Sequence, residues 1–135
     1  MVQAFDPSRF TVLLADAQDP WHATVSQLLA PQGVRTVSAR TGREALSLIE
    51  QRQCHVAVLD VDMPQLGGLQ VIRRIQSLQQ PPPAILLARQ LSAQLLHEAL
   101  GLQVFSVLAK PVDFNQLLDA LARVMRRRYE GRWPA

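Results

Sequence analysis

The sequence predicts an α/β domain: a doubly wound parallel sheet of five strands in the order 2-1-3-4-5, with helices on both faces. Three observations lead there. Apolar runs alternate with amphipathic stretches along the whole chain, the pattern of a parallel sheet covered on both sides. The 135 residues suffice for one hydrophobic core and not for two. A composition of 48% hydrophobic and 19% charged residues is that of an ordinary globular domain. The strand order follows from the alternation together with the right-handedness of parallel crossovers.

Taken in order, the strands are expected at Phe10 to Ala15, Val34 to Ser38, Val56 to Leu59, Ala84 to Ala88 and Val104 to Leu108. The first, third and fourth are nearly continuous in apolar residues, as strands buried on both faces should be. Helices are expected near residues 20 to 30, 42 to 52, 66 to 78, 92 to 101 and 113 to 128. In the second, Ala45, Leu46, Leu48 and Ile49 form one stripe, with Thr41 placed to cap it and Glu44 three residues on. In the fifth, Leu117, Leu118, Leu121, Val124 and Met125 recur at helical spacing behind Asp113 as N-cap. Pro81, Pro82 and Pro83 stop the third helix before the fourth strand, and Gly101 ends the fourth helix. The domain therefore spans residues 10 to 128, between an N-terminal extension at 1 to 9 and a loose tail at 129 to 135.

Bulk properties remove several classes of function. There is no secretory leader pattern and no apolar run near the length of a membrane span, so a cytoplasmic chain without membrane partners is expected. One cysteine cannot form an internal disulfide, and Cys54 with His55 leads into an apolar run, which reads as structural. The net charge of +3 is local. Residues 123 to 132 hold five arginines against Glu130, a balance of +4, and the remainder carries nine cations against ten anions. Such a tail is a solvated helix end whose cations suit the macrodipole, so a nucleic-acid partner is not expected. The loop after the first strand, Asp16 to Pro20, contains no glycine, which excludes a phosphate-binding loop or a dinucleotide fingerprint there.

The chemistry is expected where parallel strands end, because loops splay apart there and helix N-termini aim amides into the gap. The first strand runs out at Asp16, the third at Asp60, and the fifth, through Ala109, at Lys110. Two carboxylates and one ammonium thus meet at one rim. Paired carboxylates suit a hard divalent cation, most simply Mg2+ with waters retained. An ammonium can hold a phosphoryl oxygen, and one carboxylate can act as nucleophile and become an acyl phosphate. Lys110 is the single lysine among fourteen cationic residues.

At these residues the sequence resembles the receiver domains of bacterial response regulators, over about residues 10 to 126. The run Val58, Leu59, Asp60, Val61, Asp62, Met63, Pro64, followed by Gly67, Gly68 and Leu69, looks like the family's phosphoacceptor loop, and Lys110-Pro111 matches its lysine-proline pair. The resemblance implies a flavodoxin-like fold, Asp60 as phosphoacceptor and Lys110 as the phosphate contact. It also implies Mg2+ held by Asp16, Asp60 and Asp62, the last through its backbone carbonyl or as a compensating carboxylate. It further implies a Lys110-Pro111 bond in cis, and a signalling role in a two-component phosphorelay rather than that of an enzyme. The partners implied are a histidine kinase or phosphotransfer protein, docking through the first helix, and a second copy meeting the fourth helix, fifth strand and fifth helix.

Three positions depart from the family pattern. Ala17 stands where a second acid usually follows Asp16, Ala88 where a Ser or Thr closes the fourth strand, and Val107 where an aromatic switch residue lies. Without that second acid weak Mg2+ binding is expected, unless Asp62 or Asp19 leans into the gap, and Phe105, two residues before Val107, is expected on the same strand face at a different depth. These losses motivate a second reading, a pseudo-receiver that binds partners independently of phosphate.

Overall fold

The computed structural model describes residues 10–18 and 20–129. The extension at residues 1 to 9 and the end of the tail, 130 to 135, lie outside the described residues, as does Asp19. The strands are β1 (Thr11–Ala15), β2 (Arg35–Ala39), β3 (Val56–Asp60), β4 (Ala84–Ala88) and β5 (Ser106–Ala109). The helices are α1 (Pro20–Leu29), α2 (Gly42–Glu50), α3 (Gly68–Ile75), α4 (Ala93–Gly101) and α5 (Phe114–Arg128), with a short 3-10 turn at Ala30–Gln32. The sheet is parallel throughout in the order β2-β1-β3-β4-β5, as the alternation predicts.

Burial follows position in the sheet. Every residue of β1, β3 and β4 is buried, whereas β2 and β5, the edge strands, keep partly exposed residues. Alternation then sorts the core into two layers. Leu13, Leu59 and Leu86 face Ala45, Ile49, Val71, Ile72, Ile75 and Ala99 of α2, α3 and α4. Leu14, Val58 and Leu87 face Val25, Leu29, Leu117, Leu121 and Met125 of α1 and α5. The caps expected from sequence form: Thr41 accepts from Glu44 N–H at 3.1 Å, and Asp113 from Gln116 N–H at 3.2 Å. Among the described residues no helix is long and apolar enough to cross a membrane.

Two expectations need correction. Phe105 does not share a face with Val107: β5 begins only at Ser106, so strand alternation does not reach back to Phe105. Its ring packs with the α1 and α5 layer, while Val107 packs with the α2, α3 and α4 layer. Tyr129, assigned to a loose tail, is part of the packing at the opposite end of the sheet from the rim. Its hydroxyl donates to His55 O at 2.7 Å, and its ring meets Phe10 and His55 edge-on at 5.6 and 5.3 Å. Sequence periodicity could not reveal this, because the contact is made after the helix ends. His55 is fixed in turn by Thr11 N–H, which donates to its Nδ1 at 3.0 Å. Tyr129→Phe is expected to cost about 1 kcal/mol, the usual net value of one hydrogen bond, measured by urea denaturation. An unchanged midpoint would show that the hydroxyl contributes nothing. Burial pushes the Cys54 thiol up to about 12, in keeping with a structural cysteine.

Candidate functional site

Three strand ends build the rim. Asp16 directly follows β1, and its N–H donates to Ala39 O at 3.0 Å, continuing the ladder with β2. Asp60 is the last residue of β3. Lys110 follows β5, its N–H donating to Ala88 O at 2.8 Å, and the Lys110-Pro111 bond is cis. The turn after Asp60 folds back tightly. A Cβ on Gly67 would stand 2.3 Å from Val61 O, and one on Gly68 2.8 Å from Asp60 O, so close approach requires glycine at both. Within this turn Leu66 N–H donates to Pro64 O at 2.7 Å around Gln65, whose φ is 69°. That is a γ-turn in the left-handed region, where a non-glycine residue is held under strain.

The two carboxylates converge on one ammonium. Lys110 Nζ lies 2.9 Å from Asp16 Oδ2 and 3.0 Å from Asp60 Oδ2. Side-chain exposure is 1% for Asp16, 5% for Asp60 and 15% for Lys110, so solvent screens these pairs little. Each acid also closes a turn on itself: Gln18 N–H donates to Asp16 Oδ1 at 2.9 Å, and Asp62 N–H to Asp60 Oδ1 at 3.0 Å. A donor not foreseen from sequence completes the shell. Trp21 Nε1–H donates to Asp16 Oδ2 at 3.0 Å. The available signal was its position in the first turn of α1, the helix that leaves the Asp16 loop.

The acids differ in their proton affinity. For Asp16, burial raises the pKa, but hydrogen bonds from Lys110, Gln18 and Trp21 outweigh it and hold the carboxyl below the ordinary 3.8. For Asp60, burial together with repulsion from Asp16 wins over Asp62 N–H and Lys110, and its pKa is raised. Burial lowers that of Lys110, and the two carboxylates more than offset this, so the ammonium is held more firmly than usual.

The sign for stability follows. Between the ordinary 3.8 and the raised folded value, the folded chain holds a proton on Asp60 that the unfolded chain has released. Ionised Asp60 therefore opposes folding at neutral pH, and the penalty disappears as pH falls through its folded pKa toward 3.8. The contribution of Asp16 has the opposite sign, being lost only as pH falls below 3.8. Asp60→Asn should thus stabilise the domain at pH 7, because Lys110 keeps Asp16 as its partner and the ionised Asp60 is a net penalty there. Thermal melts across pH should show the gap closing as pH falls toward 3.8. A variant less stable than wild type at pH 7 would contradict this.

The Asp62 side chain is exposed, and it meets the cluster through its backbone N–H alone. Among the described residues no three His, Cys, Asp or Glu side chains gather as a group that could hold a metal ion. The family described as the response regulator receiver domain matches residues 12–122. The chain belongs to this family. It is a receiver domain of two-component signal transduction. It is 29% identical over 115 residues to the regulatory protein AtoC of Escherichia coli (strain K12), covering 85% of this chain and 25% of that protein. The receiver domain thus spans about a quarter of that relative's length. Among solved structures it resembles the signal receiver domain of an HD domain-containing protein from Pseudomonas fluorescens Pf-5, at 27% identity and a TM-score of 0.80. That likeness covers 90% of this chain and 98% of the other. It also resembles the chemotaxis protein CheY4 of Vibrio cholerae at 29% identity, with a TM-score of 0.75 and coverage of 86% and 98%.

Receiver domains generally bind Mg2+, and the residues of the rim fit such an ion. The gap between Asp16 and Asp60 already accommodates one cation, the Lys110 ammonium. Two carboxylates with several waters meet the ordinary demand of Mg2+.

Proposed function

We propose that this receiver domain takes a phosphoryl group onto Asp60 from a phosphohistidine of a histidine kinase or phosphotransfer protein. The observation that supports this most is the ammonium seated between two buried carboxylates at 2.9 and 3.0 Å. In the reaction an Asp60 oxygen attacks phosphorus, the new O–P bond forms as the P–N bond breaks, and the imidazole leaves with the electron pair. Asp62 N–H fixes Asp60 Oδ1 and so orients the carboxylate for attack. Lys110, in turning from Asp60 Oδ2 toward a phosphoryl oxygen, balances the charge that arrives. Mg2+, held by Asp16, Asp60 and the backbone carbonyl of Asp62, would add positive charge on the phosphoryl oxygens. The domain acts in the cytoplasm as a signalling acceptor, not as a turnover enzyme. Intact-mass measurement after treatment with a small phosphodonor and Mg2+ tests this: one phosphoryl group should be gained by wild type and none by Asp60→Asn. Equal gain in both proteins would reject Asp60.

A second reading concerns output, and three positions favour it. Ala88 is buried and has no hydroxyl to be drawn toward a phosphoryl group, Val107 is small, and Phe105 packs in the other layer. A ligand shifts a two-state region only through differential contacts. Partner binding at α4, β5 and α5, including any homodimer formed there, is therefore largely independent of phosphate. Amide exchange across residues 88 to 112 should change little with a stable phosphoryl mimic. Broad new protection there, with a tenfold or larger shift in partner affinity, about 1.4 kcal/mol, would contradict the reading.

A further inference from the structure

Asp16 accepts three hydrogen bonds from the protein itself. Its Oδ2 receives both the Lys110 ammonium at 2.9 Å and the Trp21 indole N–H at 3.0 Å, and its Oδ1 receives Gln18 N–H at 2.9 Å. A carboxylate oxygen offers two lone-pair sites, so Oδ2 is filled by the protein itself. The indole is set in place rather than incidental. Trp21 stands in the first turn of α1, its ring edge-on to the buried His22 at 4.4 Å and partly buried against the α1 and α5 core. His22 is tied in turn to Ser38 of β2, Nδ1 to Oγ at 3.2 Å. With Ala17 beside Asp16, the next residue offers no second carboxylate to take the ion instead.

We propose that Trp21 is a positioning residue that sets the metal affinity of the acidic pair, its indole N–H occupying the Asp16 oxygen that a divalent cation would otherwise ligate. This rests on the reading that Mg2+ binds at Asp16 and Asp60. Of the two donors on Oδ2, the ammonium is shared with Asp60 and is charged, whereas the indole N–H is neutral and serves Asp16 alone. An entering divalent cation repels the ammonium from Oδ2, which leaves the indole N–H as the donor that still competes with the ion for that oxygen. The cost of breaking a hydrogen bond to a charged acceptor is then subtracted from metal binding. The domain holds Mg2+ weakly for two reasons: an acid is absent at Ala17, and an oxygen is capped at Asp16.

The test uses the full chain and Mg2+ alone. Trp21→Phe keeps an aromatic ring against His22 and removes the donor together with part of the ring's bulk. Calorimetric titration should show it binding Mg2+ more tightly than wild type, by about threefold to tenfold. In wild type, the Trp21 indole N–H resonance, assigned as the one that remains in Trp133→Phe, should shift as Mg2+ is added and saturate with the calorimetric curve. The sign separates this role from a merely structural one, since a pocket loosened by lost packing would bind the ion less tightly. Equal or weaker binding by Trp21→Phe overturns the proposal and leaves the metal reading standing. An indole resonance indifferent to saturating Mg2+ overturns it even if the variant does not fold. No binding by either protein, with Asp16→Asn equally silent, overturns the metal reading and this proposal together.

Discussion

Leu59→Ala should lower the stability of the domain by about 2–5 kcal/mol, the range for truncating a fully buried leucine. Leu59 is 0% exposed on the central strand, paired with Ala15 of β1 and Leu86 of β4, and its side chain lies in the layer formed with α2 and α3. Its neighbours are held by the sheet ladder on one side and by Ile72 and Ile75 on the other, so the cavity cannot readily close. The residue also precedes Asp60, and any shift of the strand to fill the void moves the rim. Urea denaturation should show a lower midpoint at an unchanged slope. An unchanged midpoint would mean that β3 is not the centre of this core.

Lys110→Ala should be of similar size for a different reason. The ammonium lies within 3.0 Å of two carboxylates, and its removal leaves Asp16 and Asp60 buried, facing each other without a cation. Breaking a buried ion pair from one side commonly costs about 3–5 kcal/mol. Lys110 retains 15% side-chain exposure, and water entering its place moves the expectation to the lower end, about 3 kcal/mol at pH 7. The pH dependence identifies the cause. Without Lys110 one of the acids takes up a proton more readily when folded than when unfolded, so the deficit should shrink as pH falls toward the carboxylate range. Lys110→Ala combined with Asp60→Asn should recover most of the loss at pH 7. A deficit that is constant from neutral to acidic pH, and unrelieved by the second substitution, would assign it to lost packing of the lysine stem instead.

Much of this arrangement was legible in the sequence, because the signals were local. Continuous apolar runs identified β1, β3 and β4 as interior strands, and the polar residues closing the first, third and fifth strands put Asp16, Asp60 and Lys110 at one rim. What was not legible depends on contacts between distant elements or on backbone direction. Phe105 was assigned a face by alternation, which holds only inside a strand, and β5 starts one residue later. Tyr129 lies past the last helical turn, where periodicity carries no information, yet its hydroxyl reaches His55, 74 residues away in sequence. Asp62 was one candidate to compensate for Ala17; in the structure it is exposed, and its amide is the group that meets Asp60. Trp21 lies in the first turn of a helix expected from sequence, and its single polar atom became a hydrogen-bond donor to Asp16 only once α1 was laid against the rim.

The central claim is that Asp60 is the phosphoryl acceptor, and the most direct test is to locate the group chemically. The chain, treated with a small phosphodonor and Mg2+, would be reduced with borohydride, which converts an aspartyl phosphate to homoserine, and then sequenced by peptide mass spectrometry. The account predicts homoserine at position 60, with Asp16 and Asp62 unmodified. Homoserine at another aspartate, or a phosphoryl group retained only on histidine, would contradict it.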